Sequence, residues 1–240
     1  MLASDFFTTE RLEEMRDEIC DEGFVADRFL ADQPDCPVFG VNLACLYPFP
    51  PEVLEIYDKV SAQLVALDPG VYLYPHWETH VTIATLINFT QHILPAPQQV
   101  AELKTLMAKI VTQLQKTFED VEPFELWIEQ PVISRKAAIL PLSDPNDAIS
   151  RIRQRLAEHL ARDSSLQKTL AELGLNIPTL VHSTIMRFKK VPEDTQRFLS
   201  QFDEISRDVP RSKMRVNEIY ITTETNPYMR EGEIFRRFPL

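Results

Sequence analysis

THVTIATLI at 79–87 is answered by TLVHSTIMRF at 179–188: His80-Val81-Thr82-Ile83 returns 102 positions later as His182-Ser183-Thr184-Ile185. Both stretches are apolar and rich in β-branched residues, the composition of a strand. In a strand successive side chains alternate faces, so a His and a Thr two apart point the same way, roughly 6–7 Å from each other. Two such strands facing one another would set two imidazoles and two hydroxyls around one small cavity. The chain has five histidines, and only His80 and His182 are followed by x-Thr-apolar. A given histidine does this about 5% of the time at ordinary residue usage, so two of five is a coincidence of roughly 2–3%.

Outward from the motifs, one order of elements occurs twice. In the first pass the patterns predict a strand over 38–46, a helix over 51–67 opened by Pro51, the His80 strand over 78–88, a helix over 97–118 and an alternating strand over 124–130. The second pass predicts a strand over 136–142, helices over 146–162 and 166–173, and the His182 strand over 179–188. A helix over 192–202 opened by Pro192 and a strand over 216–223 follow, and a last strand over 233–238 closes the chain. The motif histidine lies 42 residues after the first strand's start in one pass and 46 in the other. This is a repeat of architecture rather than of sequence. It predicts an α+β fold of two pseudo-symmetric β-α-β-α-β repeats, about 36–130 and 131–240, with a cleft between two antiparallel sheets. Residues 36–240 then form one bilobal domain. Residues 1–35 are expected to be an acidic extension, with a helix over 9–22 that carries Leu12, Met15 and Ile19 on one stripe and is capped by Gly23.

Composition narrows the function. No apolar run approaches the ~18 residues that span a bilayer, and the acidic start lacks the pattern of a secretory signal. Cys20, Cys36 and Cys45 share no metal-type spacing and read as reduced thiols, which points to the cytoplasm. Net charge is −11, a poor match to long nucleic acid. Residues 1–120 hold 7 basic and 19 acidic side chains, and residues 121–240 hold 18 and 17, so an anion site belongs in the second half. The five glycines lie too far apart for a dinucleotide fingerprint or a P-loop. These features favour a small anionic substrate, no long duplex, no membrane partner, and a monomer.

Histidine titrates nearest neutral pH and serves as base in one protonation state and acid in the other. Two histidines flanking a phosphodiester divide the work: one takes a proton from the attacking water, the other gives one to the departing ester oxygen. Thr82 and Thr184 can donate to the non-bridging oxygens, where charge builds in the transition state. The scheme calls for no metal and no cofactor.

These residues resemble the two-histidine (2H) phosphoesterase superfamily, whose hallmark is a pair of H-x-[ST]-x motifs on duplicated lobes. The resemblance runs from about Val38 onward and includes the motif order, their spacing and the helix after each motif strand. It implies a bilobal LigT-like fold and metal-independent opening of 2′,3′-cyclic or related phosphodiesters on RNA ends or nucleotides. Its catalytic positions carry over to His80, Thr82, His182 and Thr184. Ser183 stands where an apolar residue is commoner, and Ile234-Phe235 where the final hairpin often has tyrosine.

Other residues bear on the site. His76 and His80 flank Glu78, but four positions along a strand span about 13 Å, too far to share a zinc ion. Glu78 could orient an imidazole. Tyr74 and Trp77 are candidate substrate-binding residues, since an aromatic ring can stack a base at about 1–3 kcal/mol; Tyr72 belongs to the same cluster. Arg187 would balance phosphate charge, yet alternation points it away from the His182 face. His92 and His159 read as surface residues. Two rival readings keep the same fold: a non-catalytic module that binds nucleotides or RNA ends, and a 2′-5′ RNA ligase-like activity.

Overall fold

The structure, a computed structural model, describes residues 2–31, 38–47, 49, 51–89, 97–230 and 232–240. The first half runs α1 (Thr9–Glu22), α2 (Arg28–Ala31), β1 (Gly40–Cys45), α3 (Pro51–Leu67), β2 (Val71–Leu73), β3 (Val81–Ile87), α4 (Pro97–Phe118) and β4 (Phe124–Ile128). The second runs β5 (Val132–Ile133), β6 (Ala137–Ser143), α5 (Ala148–Ala161), α6 (Ser164–Glu172), β7 (His182–Phe188), α7 (Thr195–Arg207), β8 (Ser212–Val216), β9 (Glu218–Glu224) and β10 (Glu233–Pro239).

Two antiparallel sheets result. One has the order β10-β9-β1-β3; the other has β2-β7-β6-β4-β8, with β5 also on β6. The two correspond, β3-β1-β9-β10 matching β7-β6-β4-β8. Each half therefore lends two strands to the other's sheet: β4 lies between β6 and β8 with β2 beside β7, and β9 lies beside β1 with β10 beyond it. Neither sheet can form without both halves of the chain, so the two lobes share one cooperative core. Helical spacing covers the sheets: Val53, Tyr57, Val60 and Leu64 of α3, and Met107, Ile110, Leu114 and Phe118 of α4 are buried three or four positions apart.

The expected α1, α3 and α4 are found at the expected bounds, because Gly23, Pro51 and Pro97 mark their ends chemically. Gly23 takes φ 74 and donates its N–H to Ile19 O at 2.9 Å. The helix expected from Pro192 instead begins at Thr195, where the Asp194 carboxylate accepts from Arg197 N at 2.9 Å. The strand expected over 216–223 is β9, starting two residues later at Glu218, and it is preceded by an unexpected strand of the other sheet, β8, from which Asn217 parts it. Strands β2 and β5 span three and two residues, too short to show a period.

The acidic N-terminal segment packs into the same core. Ile19, Phe24, Phe29 and Leu30 are buried, and the Phe24 ring lies 4.4 Å from that of Phe188 and 5.4 Å from that of Phe198. Val25 N donates to Arg135 O at 2.8 Å and Asp27 N to Phe188 O at 2.7 Å, so the segment reaches the end of the second motif strand.

Candidate active site

Both motif strands carry a bulge at the same place. Along β3, Thr82 faces Ala44 and Ala84 faces Leu43, leaving Ile83 without a partner in register. Along β7, Thr184 faces Ile139 and Met186 faces Ala138, leaving out Ile185. An extra residue shifts the alternation by one. Ile83 and Ala84 are thus both buried, as are Ile185 and Met186. His80, Thr82 and Thr85 share the half-buried face of the first strand, and His182, Thr184 and Arg187 that of the second. This corrects the expectation for Arg187: the bulge at Ile185 turns its side chain to the histidine's face.

His80 sits one residue ahead of β3, at the end of a turn in which Glu78 N donates to Pro75 O at 2.9 Å. The turn breaks the alternation expected over 76–80. His76 points to Asp58, with Nδ1 4.0 Å from a carboxylate oxygen. The Glu78 carboxylate accepts from the Tyr72 hydroxyl at 2.8 Å, and it is the Glu78 carbonyl that orients the imidazole, 3.0 Å from His80 Nδ1. A carbonyl only accepts, so Nδ1 carries the proton and Nε2 presents its lone pair. The Tyr47 ring stands edge-on to the imidazole at 6.1 Å.

His182 opens β7. Its Nδ1 is buried and meets no partner at full hydrogen-bonding geometry among the described residues, although the Leu180 backbone lies close enough to favour the protonated ring. Burial pushes its pKa down to about 4, with the nearby cations Arg153 and Arg187 and the other histidine adding to the effect. Burial also lowers His80, opposed by the Glu78 carbonyl. At neutral pH both imidazoles are therefore neutral. The Thr82 and Thr184 hydroxyls take no partner from the described residues.

Arg153 was missed by the sequence reading and joins the two motifs. It lies on α5, is 6% exposed, and donates to Ile83 O at 3.1 Å and Thr82 O at 2.9 Å on one side, and to Thr179 O at 3.0 Å and Leu180 O at 3.2 Å on the other. One guanidinium thus ties the backbones that position both histidines. Burial lowers its pKa to about 10, so it stays charged at neutral pH. A signal existed: Arg153 falls in the stripe of Ile149, Ile152, Leu156 and Leu160, where an arginine has no reason to be unless it is paired. Backbone bonds between Thr85 and Asn176, at 2.8 and 2.9 Å, add a second link from β3 to the other half.

The remaining candidates separate. Trp77 is 59% exposed, on the turn before His80, with its ring edge-on to His76. Tyr74 is 3% exposed and offers no face to a base; its hydroxyl accepts from Arg187 Nε at 3.0 Å. His159 pairs its Nδ1 with Thr117 at 2.9 Å on the far side of α5, and His92 and Cys36 lie outside the described residues. No described helix is long and apolar enough to cross a membrane.

Two exchanged sheets with paired His-x-Thr motifs on equivalent bulged strands define a bilobal, LigT-like two-histidine protein. A family model for the 2′-5′ RNA ligase superfamily matches residues 50–226, and the chain belongs to that superfamily. Among solved structures it is similar to TT0787 of Thermus thermophilus (14% identity, TM-score 0.51, 84% of this chain and 97% of that one). It is similar also to Escherichia coli LigT complexed with 3′-AMP (14%, 0.51, 85% and 98%). A conserved protein of unknown function from Agrobacterium tumefaciens matches at 11% identity, TM-score 0.58, over 93% of this chain and 97% of its own. At these identities the likeness is one of fold. No curated protein sequence matches the chain.

Proposed function

We propose that the protein is a metal-independent phosphodiesterase that opens a small phosphodiester, a 2′,3′-cyclic phosphate on a nucleotide or RNA end, with His80 and His182 as the acid–base pair. The observation that carries this is the shared face of His80, Thr82, His182, Thr184 and Arg187 on two equivalent strands, held by Arg153.

The site's chemistry supports the reading. Neutral imidazoles suit a base that must accept a proton from water. A bound phosphodiester brings a negative charge that favours protonation of the other ring, so substrate itself prepares the acid. Thr82 and Thr184 donate to the non-bridging oxygens, and Arg187 offsets their growing charge. Water attacks phosphorus, one histidine takes its proton, the P–O bond to one ribose oxygen breaks, and the other histidine protonates that oxygen. The product is a phosphate monoester, and the two rings exchange protonation states before the next turnover. The test is a screen of 2′,3′-cyclic mononucleotides, short 2′-5′ and 3′-5′ oligonucleotides and cyclic-phosphate RNA ends, read by phosphorus NMR. Ring opening that persists in a chelator is expected; binding of every compound without product would overturn it.

A further inference from the structure

Asp27 belongs to the acidic segment ahead of the repeats, yet its carboxylate reaches the second motif strand. Its Oδ2 accepts from Arg187 Nη1 at 3.4 Å and from the Tyr228 hydroxyl, and its Oδ1 accepts from Phe29 N at 3.0 Å. Its side chain is 11% exposed, and its own N–H is bonded to Phe188 O at 2.7 Å. Arg187 is held from other directions too. Nε donates to the buried Tyr74 hydroxyl at 3.0 Å, and the guanidinium carbon lies 4.2 Å from the centre of the Tyr228 ring. Tyr228 takes φ 66, a left-handed conformation uncommon for an aromatic residue, and its ring is boxed by Phe29, Tyr74 and Phe89. The fold thus accepts local strain to seat the ring under the arginine.

We propose that Asp27 is a positioning residue: it fixes the Arg187 guanidinium on the His182–Thr184 face so that the donors left over meet the phosphate of a monoanionic diester. The proposal rests on the phosphodiesterase reading above. A guanidinium carries five N–H donors. Asp27 and Tyr74 engage Nη1 and Nε, and Nη2 meets no partner among the described residues. Fixing the fork in advance leaves its ordering out of the reaction step. The Asp27 charge also offsets that of Arg187, so the site grips a singly charged diester without retaining a doubly charged monoester product.

The test compares Asp27→Ala, Asp27→Asn and Tyr228→Phe in the full chain. Turnover of 2′,3′-cyclic AMP gives kcat and KM, calorimetry gives 3′-AMP affinity, and NMR follows the Arg187 Nη–H that Asp27 accepts. Asp27→Ala is expected to lower kcat ~10- to 100-fold by misplacing the guanidinium, with 3′-AMP affinity kept or tightened. Asp27→Asn keeps one acceptor oxygen where the carboxylate has two, so it can hold Phe29 N or Arg187 but not both, and should recover only part of the rate, as should Tyr228→Phe. An unchanged or raised kcat in Asp27→Ala would make Asp27 a competitor of substrate and overturn the proposal. Equal losses in the Ala and Asn variants, tracking their melting temperatures, would make it a purely structural residue and overturn it as well. Should wild type open no cyclic phosphate, the function above fails while the clamp is still judged. A slowly exchanging Arg187 Nη–H is then expected in wild type and absent from Asp27→Ala, and its presence in Asp27→Ala would refute the clamp.

Discussion

The two motif strands have the same bulge, the same His-x-Thr face and different surroundings. His80 is fixed by a carbonyl on Nδ1 and stands beside Tyr47; His182 Nδ1 meets no partner at full hydrogen-bonding geometry among the described residues, and its ring lies near Arg153 and Arg187. Three positions past the threonine, the first strand has Thr85 and the second has Arg187. The repeat supplies matched geometry, and under the proposed reaction the difference in charge would let two chemically equal rings do unequal work. The N-terminal segment sharpens the contrast, because Asp27 touches the second strand's arginine.

Several substitutions would break or refine that contrast. His80→Ala and His182→Ala should each lower kcat by ~10²- to 10⁴-fold while circular dichroism stays native. Each should also remove a different limb of the pH–rate profile; loss of the same limb from both would dissolve the division of labour. Next, Arg153→Met leaves four carbonyls without their common donor, and should cost about 3–5 kcal/mol in urea unfolding. If stability is untouched, Arg153 is no staple between the strands. Thr82→Val and Thr184→Val should then lower kcat by roughly 10- to 100-fold with little change in KM. An unequal loss would mark the side on which charge develops.

The smallest effect concerns pH. Burial lowers His182 to about 4 and raises Glu224 to about 7. Between about pH 4 and the unperturbed histidine value near 6.5, the unfolded chain holds the extra proton of His182, so that group's contribution to stability falls as pH drops. Glu224 works oppositely: protonated in the fold and ionised when unfolded, it loses stability as pH rises from about 4.5 to 7. His182→Asn should therefore grow less stable relative to wild type as pH climbs through this window. Glu224→Gln should grow more stable over the same range. Parallel denaturation midpoints across pH 4.5–7 for all three proteins would contradict both shifts.

Much of this was legible in the chain. The motif pair marked the candidate site, and Pro51, Pro97 and Gly23 marked helix ends because each constrains the backbone within one residue. What escaped shares a cause. A bulge is one residue of register between strands, and nothing in TIMRF marks it, so Arg187 was assigned the wrong face. Asp194 caps α7 two residues beyond Pro192, where the proline was the louder signal. Arg153 was visible as a cation on an apolar stripe, but its four carbonyl partners come from two distant segments.

By itself, then, the amino-acid order determined the two sheets' worth of strands, the helices that cover them and the two His-x-Thr motifs, since each depends on periodicity and local backbone chemistry. Tertiary structure alone decided that the halves exchange β4 and β9, that bulges bring Arg187 beside His182, and that Asp27 arrives from outside the repeats to hold it. Those outcomes depend on register and on contacts between residues over a hundred positions apart, such as Asp27 with Arg187, and no local pattern encodes them.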